Sequence, residues 1–250
     1  MKASKLLDGL LILQTCKASL PHEPTSISLP AQGLNGVAAG DLTYFKNVTS
    51  VDLSDNQVAL EDLSALEQVK EITLTYNQLR EIGIRPGMFR KVTRLNLGFN
   101  NLRTEELRKL EFLPRLVQVN VEANRLTKLP ESLAQLTKLR ELNLAGNQLT
   151  EECLDSLATI PNLQSLNLAR NRLSSWRTEK SLPQLRELVL SNNQVQAESS
   201  LISAIQLNQS LTVLDISGNP CCETQECHAL SFLISKRHLG MLLCHSSTRN

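Results

Sequence analysis

An asparagine recurs along this chain inside a fixed apolar frame, and that recurrence limits the possible folds more than any other feature. The frame reads Val48-x-x-Val51-x-Leu53-x-x-Asn56-x-Val58, then Val69-x-x-Ile72-x-Leu74-x-x-Asn77-x-Leu79. It returns around Asn100, Asn124, Asn147, Asn171, Asn193 and Asn219, each preceded by apolar residues at minus eight, minus five and minus three. Residues 26–34 form a degenerate opening copy, with Ile27, Leu29 and Leu34 in place and Gln32 where the asparagine would stand. The nine units follow one another at spacings of 24, 21, 23, 24, 23, 24, 22 and 26 residues. Self-similarity at such a period marks an array of stacked units. Its core is supplied by 49 Leu among 250 residues, with only 3% aromatic residues.

Alternating apolar residues such as Leu142 and Leu144 point one way from a short strand, and their neighbours point the other way. Each unit therefore supplies one strand. The asparagine follows at the bend, where its amide donates to and accepts from backbone groups that a tight coil would leave buried and unpaired. Asn56, Asn77, Asn100, Asn124, Asn147, Asn171, Asn193 and Asn219 are accordingly read as a structural asparagine ladder and not as ligand contacts. In the return segments apolar residues recur at three-residue spacing: Leu63, Leu66 and Val69; Leu107, Leu110 and Leu113; Leu154, Leu157 and Ile160. Short helices follow from this, with Thr104 and Thr150, each followed by two Glu, as expected capping starts. Gly83 to Gly87, with Pro86 inside, is expected to cross as a loop, and Trp176, at the position of Leu129 and Ile82, is expected in the core.

The pattern is identified as that of the leucine-rich repeat family. The resemblance implies an α/β solenoid, a curved horseshoe of about nine units with a parallel concave sheet and short convex helices or loops. Three segments are expected: an N-terminal helical cap over 1–23, repeats over 24–222, and a C-terminal helical cap and tail over 223–250. A solenoid needs such caps because its end coils otherwise expose apolar faces. Leu6, Leu7, Leu10, Leu11 and Leu13 suit the first; Leu230, Phe232, Leu233, Ile234, Leu239 and Leu242 suit the last, after the Asn219-Pro220 stop.

The same N-terminus has the outline of a secretory signal, with Lys2 and Lys5 before Leu10-Leu11-Ile12-Leu13, but Asp8, Gln14 and Lys17 argue against export. No run reaches the roughly 18 apolar residues of a membrane span. Of six cysteines, Cys221, Cys222, Cys227 and Cys244 lie near the C-terminus. Plain thiols are the leading reading; the alternatives are disulfides in an exported protein or a zinc site using Cys222, Cys227, His228 and Cys244, whose spacing matches no familiar finger. The sequons at Asn47 and Asn208 are no more than chance supplies in this composition.

The four histidines, His22, His228, His238 and His245, lie outside the central repeats, so no histidine-based triad sits on the strand face. Phosphate-cradling and His-Glu-x-x-His signatures are missing, and Glu105-Glu106 and Glu151-Glu152 suit helix starts. A net charge of +1 without a basic run gives no footprint for nucleic acid. A non-enzymatic chain is expected, with no catalytic residues, metal or cofactor.

What remains for function is the strand face. Its central column reads Ser28, Asp52, Thr73, Asn96, Asn120, Asn143, Asn167, Val189 and Asp215; beside it run Glu71, Arg94 and Glu141, and a third column holds Asp55, Tyr76, Phe99 and Arg170. Tyr76 and Phe99 take the same position in adjacent units, which places them about 5 Å apart. With Glu71 and Arg94 nearby they form the best binding hot spot, unless Phe99 tucks against its own loop. The candidate partner-binding set is Asp52, Glu71, Tyr76, Arg94, Asn96, Phe99, Asn120, Glu141, Asn143 and Arg170. Nine strands span roughly 40 Å, enough for a standard protein interface.

A narrower resemblance rests on Leu6-Leu7-Asp8-Gly9-Leu10-Leu11 and Asp41-Leu42-x-x-Phe45-x-Asn47-Val48, which are similar to the start of the X-ray radiation resistance-associated family. It implies an intracellular repeat protein without known enzymatic activity, and the chain lacks the long C-terminal extension of that family's animal members. The expectation is a monomeric cytoplasmic scaffold, possible also in the nucleus, that holds a protein partner on its concave face. A secreted or cell-surface recognition domain with a disulfide-bonded C-terminal cap is the alternative.

Overall fold

The computed structural model describes residues 5–176, 180–196, 198–223 and 241–243. The chain divides into two compact units, residues 1–124 and 125–250. Both are built by the same rule. In every full repeat the apolar residues at minus eight, minus five and minus three are buried, none more than 6% exposed. Each repeat yields a three-residue strand whose middle residue is buried while its neighbours face outward, as in Glu71-Ile72-Thr73.

The first unit opens with helix α1 (Gly9–Cys16), strand β1 (Ser26–Ser28) and one-turn helix α2 (Ala39–Leu42). Strands β2 (Ser50–Asp52), β3 (Glu71–Thr73), β4 (Arg94–Asn96) and β5 (Gln118–Asn120) follow, and neighbours pair in parallel register from Ser26↔Ser50 through Arg94↔Gln118. The second unit carries β6 (Glu141–Asn143), α3 (Cys153–Leu157), β7 (Ser165–Asn167), β8 (Glu187–Val189), α4 (Glu198–Leu207) and β9 (Val213–Asp215), its strands again parallel. All nine repeats of the sequence thus supply a strand. A tenth strand, β10 (Met241–Leu243), pairs in parallel with β9. The helical cap expected over 223–250 lies otherwise outside the described residues.

The ladder behaves as the sequence implies. Asn100 Oδ1 accepts from Asn77 N at 2.9 Å and Leu79 N at 3.0 Å, one coil earlier, while Nδ2 donates to Leu74 O, Leu97 O and Gly98 O. In the second unit Asn171 repeats this with Leu149 N, Leu144 O, Leu168 O and Ala169 O. Each asparagine joins its own bend to the preceding coil, so loss of one would strand several buried backbone groups.

The three-residue apolar spacing of the return segments yields two 3-10 helices, Glu61–Leu63 and Thr104–Phe112, besides the five-residue α3. A 3-10 helix has three residues per turn, so Leu107 and Leu110 fall on one buried line. The threonine caps are corrected: Thr104 is the first residue of its helix, behind Arg103, and α3 starts at Cys153, behind Glu152, neither capped through a side chain. Tight backbone bonds serve instead, among them Cys153 N to Thr150 O at 3.1 Å. The segment 83–87 carries no regular structure, and Trp176 is 2% exposed, as expected for core.

The N-terminal cap differs in its face. Leu7 and Ile12 are buried, whereas Leu6 and Leu10 are exposed. Asp8 sets that rotation: its carboxylate accepts from Leu11 N at 2.8 Å as the helix cap, while Leu7 bridges in parallel to Val37. Asp41 accepts from Gly9 N at 2.9 Å, and a β-carbon at Gly9 would stand 3.5 Å from the Phe45 ring. The two separated segments that carry the narrower resemblance therefore interlock at the start of the first unit.

Candidate functional site

Of the ten candidate binding residues, the first unit holds Asp52, Glu71, Tyr76, Arg94, Asn96, Phe99 and Asn120; Glu141, Asn143 and Arg170 belong to the second. Strand register brings the first group together. Glu71 pairs with Arg94, Thr73 with Asn96, and Asn96 with Asn120. Arg94 Nη1 lies 2.6 Å from Glu71 Oε1, an exposed ion pair of the kind that contributes about 0–1 kcal/mol. A polar depression of about 220 Å³ opens here, lined among others by Glu71, Thr73, Arg94, Asn96, Gln118 and Asn120.

Tyr76 and Phe99 stand in the turns that follow β3 and β4. Their rings stack with centroids 4.6 Å apart and planes 15° from parallel, and they are 53% and 40% exposed. Phe99 thus leans on Tyr76 in solvent instead of tucking into its loop. Both hold left-handed backbone, with φ of 56° and 55°. The cause is general to the fold: in all nine units the residue before the ladder position is left-handed, from Ala31 and Asp55 through Ala123, Gly146, Arg170 and Asn192 to Gly218. Such a turn suits Gly, Asn and Asp, and a bulky side chain there is an outlier. Gly146, Asn192 and Gly218 were the signal in the sequence that could have exposed this constraint.

A second feature was missed. The central column is committed to local structure: Asp52 Oδ1 accepts from Ser54 N, Asn96 Oδ1 from Gly98 N, Asn120 Oδ1 from Glu122 N, and Asn143 Oδ1 from Ala145 N, at 2.9 to 3.1 Å. These are Asx turns, in which a short polar side chain bonds the backbone two residues on. The Asp-x-Ser and Asn-x-Gly pattern already contained it. Gly98 lets the arrangement close up, because a β-carbon there would come within 3.3 Å of Asn96 Oδ1 and 3.4 Å of Asn120 Nδ2. Asn96 and Asn120 therefore offer a partner only the capacity left after that bond, and the aromatic stack becomes the main feature of the site.

In the second unit Glu141 and Arg170 are exposed at the same columns, and Ser165 Oγ donates to Glu187 Oε2 at 2.9 Å. No aromatic stack accompanies them among the described residues. No cluster of three or more metal-ligating side chains occurs among the described residues, and none of their helices is long and apolar enough to cross a membrane. The thiol, disulfide and zinc alternatives turn on Cys227, His228 and Cys244, which lie outside the described residues. Cys222 Sγ donates to Ile216 O at 3.1 Å.

Leucine-rich repeat profiles match residues 46–66, 90–149, 161–206 and 207–220. The chain belongs to the leucine-rich repeat family. X-ray radiation resistance-associated protein 1 of Mus musculus is 26% identical over 121 residues, which cover 48% of this chain and 15% of that protein. The chain thus matches only a small part of the length of that relative. Among solved structures, internalin C2 of Listeria monocytogenes superimposes with a TM-score of 0.66 at 22% identity, over 84% of this chain and 92% of that one. TLR13 in its complex with ssRNA13 also gives 0.66, at 20% identity, over 85% of this chain and 30% of that one. At these identities the two structures establish the leucine-rich repeat fold alone. The family is one of protein-interaction modules, typically without enzymatic activity.

Proposed function

We propose that this chain is a non-enzymatic, intracellular binding module that holds a protein partner on the exposed strand face of its first unit. The observation that carries the reading is the Tyr76–Phe99 stack, two exposed aromatic rings kept parallel in a backbone conformation that disfavours both. Nothing in the repeat requires aromatics at that column, since Ala31, Ala123 and Gly146 occupy it elsewhere. Exposed aromatic anchors dominate the energetics of protein interfaces. Glu71, Arg94, Asn96 and Asn120 surround the polar depression beside them and supply a rim.

The test is capture from the native cell with the whole chain, wild type against a Tyr76→Ala/Phe99→Ala variant, read by quantitative mass spectrometry. Alanine already holds this conformation at Ala31 and Ala123, so the variant keeps its fold. A protein retained by wild type and depleted at least about tenfold on the variant supports the site, since two hot-spot rings contribute that much or more. An unchanged set of proteins moves binding to another surface.

A further inference from the structure

On the return side of the first unit two more large apolar side chains stand exposed, Tyr44 at 67% and Phe112 at 38%. They take the same place in their coils. Each lies six residues before the first strand residue, Ser50 or Gln118, and directly before a buried one, Phe45 or Leu113. The two coils between them put Ala65 and Met88 at that place, both half-buried. Parallel register from β2 to β5 sets the four in one stripe, as do the repeated bonds Val48 N to Phe45 O, Val69 N to Leu66 O, Val92 N to Phe89 O and Leu116 N to Leu113 O. Charge is sorted about this stripe, although the whole chain is nearly neutral at +1. Between it and the strands lie Lys46, Lys70, Arg90, Lys91 and Arg115, against Glu67. None of the five cations is ion-paired among the described residues; Arg90 Nε donates to Gly87 O and Lys91 Nζ to Gln68 Oε1. On the other side the return segments carry Asp41, Glu61, Asp62, Glu105 and Glu111 against Arg85 and Arg108, with Lys109 held by Glu106.

We propose that the stripe docks an amphipathic helix of a protein partner, with the helix's apolar face on Tyr44, Ala65, Met88 and Phe112 and acidic residues on the flank that meets Lys46, Arg90, Lys91 and Arg115. It is a second surface, on other residues than the Tyr76–Phe99 stack. A row of exposed apolar groups bordered by charge marks such a place. A helix laid across the coils brings round one apolar position per turn, about every 5.4 Å, close to the spacing of about 4.8 Å between neighbouring coils at their strands. One turn of the helix therefore meets one coil, as in other helix-in-groove complexes. The unpaired cations decide the sign of the near flank, since a basic flank there would face like charge. The carboxylates on the far side decide against a membrane or a phosphate backbone, which are negative throughout and would be repelled there. Helix α1 of a second copy does not meet the description, because Gly9–Cys16 carries no carboxylate.

The test uses the whole chain and the peptide acetyl-Leu-Glu-Gln-Leu-Ala-Glu-Gln-Leu-Glu-Gln-Leu-Ala-Glu-Gln-Leu-amide, whose helix has Leu and Ala on one face and Glu on one flank. Two counterparts carry Gln or Lys in place of every Glu. Binding is followed by titration of 15N-labelled protein. The Glu peptide is expected to shift the amides of residues 44–46, 65–68, 88–91 and 115–116, to bind about tenfold tighter than the Gln peptide, and to weaken with added salt. Lys46→Glu/Arg115→Glu is expected to reduce that affinity about tenfold and to raise the affinity of the Lys peptide. Tyr44→Ser/Phe112→Ser, at two exposed positions, is expected to weaken the Glu and Gln peptides alike by about three- to tenfold. Equal binding of the three peptides, no binding at millimolar Glu peptide, or shifts confined to other residues would overturn the proposal. Shifts at residues 75–77 and 98–100 instead would do so and leave the strand-face reading standing. A dimer, or binding to phosphatidylserine vesicles, that is lost in Tyr44→Ser/Phe112→Ser without any response to the peptide would assign the stripe to a second copy or to a membrane and overturn it too.

Discussion

A bulky residue in left-handed backbone gives up roughly 1–2 kcal/mol, and Tyr76 and Phe99 both stand there. If the stack served stability, that strain would be offset by ring packing; at 53% and 40% exposure it is offset only in part. Phe99→Asn should therefore leave stability within about 1 kcal/mol of wild type, because strain relief of about 1 kcal/mol balances a stacking loss of similar size. Chemical denaturation checks this, and a loss above about 2 kcal/mol would mark the stack as structural. The ladder gives the opposite outcome. Asn100→Ala removes the partner of two buried amides and three carbonyls, and should cost about 3 kcal/mol or more by the same measurement. This contrast was legible only in part. Asparagine spacing displays the ladder because its partners sit at fixed offsets, whereas the left-handed column is hidden by side chains as different as Asp55, Phe99 and Arg170.

Between coils the return segments are tied by polar contacts such as Leu133 N to Thr159 Oγ1, Asn162 Nδ2 to Thr137 O and one made by Glu106. Its Oε2 accepts from Ile82 N at 2.6 Å, one coil earlier, and from Lys109 Nζ at 2.8 Å. Burial works to raise its pKa, but the Lys109 bond, the Ile82 amide and the charges of Lys109 and Arg103 outweigh it and hold the carboxyl below its ordinary value. A depressed folded value means that the stabilisation is present above the unfolded pKa and is lost as pH falls through the folded one. Glu106→Gln should cost about 1 kcal/mol at pH 7, with the difference from wild type shrinking below about pH 5. A difference that persists undiminished at pH 3 would refute the link. Cys153 gives a second check on the same elements. It is 2% exposed in α3 and its thiol is pushed up to about 12 by burial, so maleimide at pH 8 should label it only after denaturation, well behind the half-buried Cys16. The 3-10 geometry could have been anticipated, since Leu107, Leu110 and Leu113 repeat at three and not at three and four. Helix starts could not, because backbone bonds one turn back satisfy their amides without any side-chain signature.

At the scale of the chain, repeat number and core composition were legible because every unit restates them, while the N-terminal cap and the Tyr76–Phe99 stack occur once among the described residues and leave no internal comparison. Asp8 illustrates the loss: the residue that argues against a signal peptide also caps α1, and only the structure joins it to the Asp41 segment. Compartment is the property least visible in such a pattern, yet the fold turns two uninformative sequons into a reporter. Asn208 is 1% exposed and its Oδ1 accepts from Leu182 N at 2.7 Å, so a glycan there is incompatible with the folded second unit. Asn47 is exposed, its amide donating to His22 O at 2.6 Å, and it lies in the Asn47-Val48-Thr49 sequon. A chain that passed through the secretory route would carry sugar at Asn47 and none at Asn208, whereas an intracellular chain carries neither. Intact-mass and peptide analysis of the protein from its native cell is expected to show both residues unmodified. Glycan on Asn47 alone would leave the repeat architecture untouched and place the aromatic stack outside the cell, where any partner would then have to be sought.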